Sequence, residues 1–313
     1  MNIAVLGTGF GWYHVQLLKK FEQVKRIVVF GRNEDKLRKL KAELGVEITT
    51  CFDDILLDPE IDVIDSCLPS HLHSQYAIQA LQHGKHVFCE TPVALHLEDV
   101  LAMKRAEEQY GKRILVNQFI KFDWAYRYLY EAIQHQKYGK LISLTLKRET
   151  SPMWGDLGLN TITTKLMIHE LDFVTWLGVS TDDCIVWGNQ LENREQSFVR
   201  AWFQQSEPTI EVIVSSQMPH SYPFTVGYEA YFERAKLVFH ESDSNGETES
   251  TLFENTDQGK HELALEKVNP YEKSLEHALQ CLNEGADSII SLDHAIQSLD
   301  IAIKLKNRLV VLK

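Results

Sequence analysis

The sequence predicts an α/β protein: an N-terminal Rossmann-type doubly wound parallel sheet, followed by a C-terminal α+β domain built on an open, mostly antiparallel sheet. Short apolar runs alternate with amphipathic helical stretches as far as residue 119, which is the pattern of a parallel sheet covered on both faces. Between 184 and 240 β-like runs follow one another without helices, the pattern of an antiparallel sheet. A glycine cluster separates the first strand from the first helix. Length agrees, since 313 residues at roughly 150 per domain suggest two.

Each element has its own local cause. Residues 2–6 (NIAVL) form an apolar run that stops at glycines, and Val15, Leu17, Leu18 and Phe21 mark the buried face of the helix behind it. RIVVF at 26–30 is the next strand, and a helix opens near Asn33 and closes at Gly45, a residue suited to the left-handed position after a helix. VEITT, a short segment around Ile55 to Leu57, IDVIDSCL at 61–68, a helix ending at Gly84, HVFCE at 86–90, a helix ending at Gly111 and RILVNQF at 113–119 complete a dinucleotide-binding domain over 1–119. The second domain, 120–313, opens with a helix around Trp124 to Gln134 and the alternating LISLTLKRE. A polar loop and one helix from about Thr163 to Leu177 precede the strands. Residues 241–262 are acidic and poor in large apolar groups, as in a solvated hairpin or flexible loop. Helical periodicity returns from Tyr271 to Leu309, in helices that are free to pack back on the first domain.

Composition narrows the partners. A formal charge of −12, from 32 Lys+Arg against 44 Asp+Glu, gives no attraction to phosphate backbones or anionic lipid, so neither nucleic acid nor a membrane is expected and a small molecule is. At 44% hydrophobic and 24% charged the chain is outside the regime of disorder. No apolar run approaches the ~20 residues that span a bilayer, and the N-terminus enters its first strand directly, so a cytoplasmic protein is expected. Cys51, Cys67, Cys89, Cys184 and Cys281 are scattered and contain no C-x-x-C pair, which argues for reduced thiols rather than disulfides or a thiolate metal site.

Gly7-Thr8-Gly9-Phe10-Gly11 lies between the first strand and the first helix. Glycines there permit a tight turn and bring backbone amides to a pyrophosphate, whose charge the helix N-terminus stabilises. The third glycine of the usual G-x-G-x-x-G would stand at Trp12, and Gly11 comes one place early. At the end of the second strand, where a carboxylate would accept from the ribose hydroxyls of NAD, the sequence is Phe30-Gly31-Arg32-Asn33. A guanidinium without a neighbouring acid suits a 2′-phosphate, so NADP is preferred and NAD remains possible. The alternative is that Arg32 stacks on the adenine of either cofactor.

Taken with the glycine turn, two further segments make the chain resemble the Gfo/Idh/MocA family of nicotinamide-dependent sugar and polyol oxidoreductases. Cys67-Leu68-Pro69-Ser70-His71-Leu72-His73 leading into AIQALQHGKHVFCETPVAL is similar to the family's T-P-x-x-x-H and G-K-H-V-x-C-E-K-P segments. MIHELDFVTWLG at 167–178 is similar to its histidine-bearing helix, and VNQFIKFDWAYRYL to the segment that opens its second domain. The resemblance implies that Gly7, Thr8, Gly9, Phe10 and Gly11 hold the pyrophosphate and Arg32 the adenosine end. It places Leu68, Pro69 and His73 beside the nicotinamide half, Glu90 near its ribose, and Asn117 near the carboxamide and substrate, with Thr91 among the expected cofactor-binding residues. It also implies that the second-domain sheet makes a homodimer or homotetramer.

Two departures bear on catalysis. The family's E-K-P lysine is replaced in Glu90-Thr91-Pro92 by a hydroxyl, which cannot do an ammonium's work, and the aspartate four residues before the helix histidine is Lys165. On one continuous helix Lys165 and His169 would share a face, so Lys165 is expected to supply the missing cation beside His169. His169, with an ordinary pKa of about 6.5, is the expected acid/base of hydride transfer to or from a sugar, polyol or related hydroxy/keto compound. The same departures leave a second reading open: a catalytically impaired dinucleotide sensor of the same fold. Asp172 is expected to orient or cap, Trp176 and Leu177 to be core, and Trp124, Tyr126, Tyr128, Tyr130 and Trp154 to be core or interface. Lys121 reads equally as a substrate contact or a surface residue. His71-x-His73 and His83-x-x-His86 lack the convergent ligands of a metal site, and no metal is expected.

Overall fold

In a computed structural model the chain is described at residues 1–152, 155–190, 195–204, 208–244 and 246–312. Trp154, one of the second-domain aromatics, lies outside the described residues. The chain forms two compact units, Met1–Phe119 with Tyr271–Ile296, and Ile120–Pro270 with Gln297–Lys313.

The first unit is built on β1 (Asn2–Leu6), α1 (Phe10–Leu18), β2 (Arg26–Phe30), α2 (Glu34–Leu44), β3 (Glu47–Thr49), α3 (Phe52–Leu56), β4 (Val63–Ser66), α4 (Ser70–Gln82), β5 (His86–Cys89), α5 (Leu97–Tyr110) and β6 (Ile114–Val116). Its six strands are all parallel, in the order β3-β2-β1-β4-β5-β6. Helices cover both faces, so β1 and the first half of β4 are apolar: Ala4, Val5, Leu6, Val63 and Ile64 are wholly buried. Burying each such aliphatic side chain contributes roughly 1.5–3 kcal/mol for the larger ones. Strand order reverses between β1 and β4, and the crevice at the carboxyl ends of those two strands is where open α/β sheets bind ligands. The Asn33 side chain caps α2 by accepting from the Lys36 amide, and Gly45 closes it at φ +65°.

In the second unit α6 (Trp124–Gln134) follows its N-cap Asp123, whose carboxylate accepts from the Ala125 and Tyr126 amides. A nine-stranded sheet follows. β7 (Leu141–Glu149) pairs antiparallel with β11 (Phe224–Phe232) and parallel with β10 (Thr209–Ser215), so the sheet is mixed rather than uniformly antiparallel. β8 (Cys184–Gln190) and β9 (Ser197–Phe203) continue it beyond β10. On the other side β12 (Lys236–Ser244), β13 (Glu247–Thr256) and β14 (Gly259–Leu263) turn the acidic stretch into paired hairpins. The C-terminal helical region is two helices, α9 (Pro270–Glu284) and α10 (Leu292–Arg308), and β15 (Val310–Val311) adds a parallel edge to β8.

One expected element is corrected. The single helix from Thr163 to Leu177 is two, α7 (Ile162–Lys165) and α8 (Ile168–Trp176), with Leu166 and Met167 between them. The Met167 amide bonds back to Ile162 rather than continuing the i to i−4 ladder, so Lys165 and His169 do not lie on one uninterrupted helix.

Candidate active site

The turn after β1 is shaped by what surrounds it. Gly7 takes φ +112°, and a Cβ there would lie 2.7 Å from the Cys67 carbonyl, so only glycine fits where β1 and β4 deliver their loops side by side. Gly11 is buried in the first turn of α1, and a Cβ on it would meet Val5 at 3.0 Å. Standing one place early, it still serves the close helix-to-strand packing of the usual third glycine. Thr8 and Gly9 complete the turn. The amides that open α1 have neither a side-chain cap nor an acidic residue in the first turn, as an anion-binding helix end requires. Phe10 is 43% exposed, its ring against Tyr13, His14 and Tyr271.

At the end of β2, Gly31 is glycine for a physical reason: a Cβ would stand 2.6 Å from Thr8 Cγ2. A ribose-binding carboxylate at 31 would require the Thr8 side chain to shift. Arg32 is exposed beside it, while Arg38 is occupied by Glu34 at 3.0 Å and Asp35 at 2.8 Å.

Leu68 and Pro69 lead into α4, with Pro69 at its N-cap. His73 is buried behind them, one ring nitrogen 2.7 Å from the Leu68 carbonyl and the other 3.1 Å from that of Pro92. Burial holds its pKa below the ordinary value. It braces two loops of the crevice through their backbones. Glu90 Oε1 accepts from Asn117 Nδ2 at 2.5 Å and Oε2 accepts from the Thr91 amide at 3.2 Å. Asn117 is fully buried, yet its Oδ1 has no hydrogen-bond donor among the described residues. Such an orphaned acceptor is what a cofactor's carboxamide N–H₂ would satisfy, and with the open α1 amides it makes this unit fit a nicotinamide dinucleotide. Burial pushes the Cys67 and Cys89 thiols well above their usual range, which removes them as nucleophiles. His83 Nδ1 lies 2.8 Å from the Gln79 carbonyl, and His86 accepts from the Arg113 amide and is held down at about 4, mainly by burial.

The second unit holds the other candidates. His169 opens α8 half-buried, and its pKa is lowered well below the ordinary value, first by burial and then by the Arg148 charge. Lys165 donates from Nζ to the Asp156 carbonyl at 3.1 Å, which commits its ammonium to the loop before α7. Lys121 is not a surface residue. It is completely buried, 3.3 Å from Asp172 Oδ1, and Asp172 stands three residues after His169 on α8. Burial lowers the lysine's pKa and raises that of Asp172 to about 6. Sequence reading also missed Arg148 and Glu170, a buried pair in which Arg148 Nε donates to Oε1 at 2.8 Å and Oε2 at 3.0 Å. Tyr130 stacks on Trp176 at 3.8 Å, an aromatic layer of this unit.

A family model described as the oxidoreductase family with an NAD-binding Rossmann fold, Gfo/Idh/MocA, matches residues 1–118. Residues 1–118 are a Gfo/Idh/MocA oxidoreductase domain. Along a longer stretch the chain is similar to a myo-inositol 2-dehydrogenase of Thermotoga maritima, 27% identical over 203 residues, covering 62% of this chain and 60% of that protein. An inositol 2-dehydrogenase of Serratia proteamaculans is 28% identical over 184 residues, covering 56% of this chain and 54% of that one. The matched region is under two thirds of each relative's length. Among solved structures, UDP-N-acetylglucosamine 3-dehydrogenase from Acidithiobacillus ferrooxidans shares the fold with a TM-score of 0.83 at 18% identity, covering 99% of this chain and 97% of that chain. The match over residues 1–118 agrees with the resemblance carried by the glycine turn and the GKHVFCETP segment. Among the described residues no helix is long and apolar enough to cross a membrane.

Proposed function

We propose that this chain is a nicotinamide-dependent oxidoreductase, preferring NADP(H), that interconverts a secondary alcohol and a ketone on a sugar, inositol or related polyol. The observation that carries the reading is the first unit's crevice, in which Gly7, uncapped α1 amides and the orphaned Asn117 acceptor together suit a dinucleotide. The names of the inositol and amino-sugar dehydrogenases to which the chain is similar support the substrate class. Gly7, the uncapped α1 amides and Asn117 would hold the nicotinamide dinucleotide, which would supply the hydride chemistry when bound. His169 takes the hydroxyl proton as the carbonyl forms, and returns it in reduction. Thr91 contributes no cation, and Lys121, buried against Asp172, is the ammonium that shares the α8 region with His169. The preference for NADP rests on Arg32 and on the absence of an acid at Gly31.

Fluorescence titration of cofactor-stripped protein with NADPH and with NADH tests the reading. Arg32→Ala is expected to weaken NADPH binding about tenfold, the scale of one charge-assisted hydrogen bond, and to leave NADH nearly unchanged. If the wild-type protein binds neither, the reading is wrong.

We further infer that the second-domain sheet makes the oligomer. On its outer face Ile185 is 46% exposed, Trp202 40% and Tyr231 41%, interleaved with the pairs Arg200–Glu211 and Lys236–Glu229. Light scattering of Trp202→Glu should show a smaller species than wild type, and an unchanged mass would move the interface elsewhere.

A further inference from the structure

The first unit buries a second group of titratable side chains behind its crevice, and nothing in the functional reading uses it. His14, on α1, is completely buried, with Nδ1 at 2.8 Å from Asp65 Oδ2 and 3.1 Å from Oδ1. Its Nε2 is 2.9 Å from Glu90 Oε1, within ion-pair distance although not aligned as a hydrogen bond. Asp65, on β4 beside Val5, is 1% exposed, and Glu90 is 13% exposed at the end of β5. One imidazole thus lies between two carboxylates. A neutral ring carries a hydrogen on one nitrogen only, so either tautomer turns a lone pair toward a carboxylate at 2.8–2.9 Å. The imidazolium has a hydrogen for each. Cys67 after β4, Cys89 on β5 and His73 on α4 are the other titratable groups facing the three, and burial keeps each of them uncharged. Cys67 Sγ donates to Asp65 Oδ1 at 3.6 Å, and the rings of Phe10 and Phe88 lie against the imidazole.

We propose that Asp65 and His14 are positioning residues that hold Glu90 as an ionised acceptor in the crevice, and that the net negative charge of the three favours the oxidised, cationic form of the bound nicotinamide over the reduced, neutral one. The second half rests on the dinucleotide reading given above. Two carboxylates and one imidazolium sum to a single negative charge, too deeply buried for solvent to screen fully. Glu90 is the member that reaches the crevice, its oxygens already engaged by Asn117 Nδ2 and the Thr91 amide. The Asp65–His14 contact lets Glu90 stay charged without making the cluster doubly negative, and it fixes the carboxylate from behind. The local electrostatics agree, since the His14 pKa is raised well above the ordinary value by Asp65 against the opposing cost of burial.

The first test needs no variant and no cofactor. In an imidazole NMR titration of the dinucleotide-free protein, His14 should carry hydrogens on both ring nitrogens from pH 6 to at least pH 8. A ring that is neutral at pH 7 overturns the relay. The second test measures the ratio of dissociation constants for NADP⁺ and NADPH. Glu90→Gln removes one negative charge while Asp65 still holds His14 as the imidazolium, so the ratio should rise about tenfold, with NADPH binding little changed. A purely structural role would weaken both forms equally, and an unchanged ratio overturns the electrostatic half. Failure of the wild-type protein to bind either cofactor overturns the functional reading and that half with it, while the ring titration still decides the charge of the relay.

Discussion

His169→Ala should lower the turnover of alcohol substrate by at least a hundredfold, while the dissociation constants of both cofactors stay within about twofold of wild type. General acid–base groups contribute roughly 10² to 10⁴ in rate, and His169 belongs to the second unit rather than to the one that fits the dinucleotide. The pH dependence follows from the direction in which its environment moves it. Burial and the Arg148 charge hold its pKa well below the ordinary value, so at neutral pH the imidazole is unprotonated. Alcohol oxidation needs that form as base. Its rate should be level from pH 7 upward and should fall only on the acid side, as pH drops through the lowered value. Ketone reduction needs the protonated form, so its rate should rise toward acid, about tenfold per unit over the range where the ring is mostly neutral. Steady-state rates in both directions between pH 5 and 9 check this. An oxidation rate that titrates near 7, or a variant within tenfold of wild type, would remove His169 from the role.

Glu170→Leu should cost about 3–5 kcal/mol in unfolding free energy, the largest stability effect expected of any single replacement in the second unit. Glu170 is completely buried and Arg148 nearly so, joined by contacts from Arg148 Nε to both carboxylate oxygens. Removing Glu170 leaves the Arg148 charge buried without its hydrogen-bonded counterion, which is far more costly than the pair is favourable. Burial itself disfavours the carboxylate, and Arg148 opposes that shift. The double variant Arg148→Met/Glu170→Leu should therefore recover most of the loss, because apolar side chains of similar size fill the space without a charge to desolvate. Urea unfolding of the two variants and wild type measures both quantities. A single variant that costs less than about 1 kcal/mol would mean that water reaches Arg148 once Glu170 is gone. The double variant also bears on His169: without the Arg148 charge, the acid limb of the oxidation profile should move to higher pH.

These buried pairs mark where reading the sequence stopped. The glycine turn, the strand and helix alternation through residue 119 and the caps at Asn33 and Gly45 depend on neighbours a few positions away, so their residue types announce them. Gly11 shows the same logic, since its displacement from the usual spacing does not alter its packing against Val5. The family likewise was legible in the GKHVFCETP segment. Periodicity alone cannot register that Leu166 and Met167 interrupt the helix, so it set Lys165 and His169 on one continuous helical face.

What the sequence by itself determined was therefore the parallel first sheet, its glycine turn, the mostly antiparallel second sheet, the family of the first domain and the absence of an acid at position 31. Only the tertiary structure decided which charged residues are buried and with whom: Lys121 with Asp172, Arg148 with Glu170, and His14 with Asp65 and Glu90. A lone Lys or Asp in a sequence is most economically read as solvated, because burying a charge is unfavourable unless a partner meets it. That partner comes from another element, and no short-range pattern encodes which one.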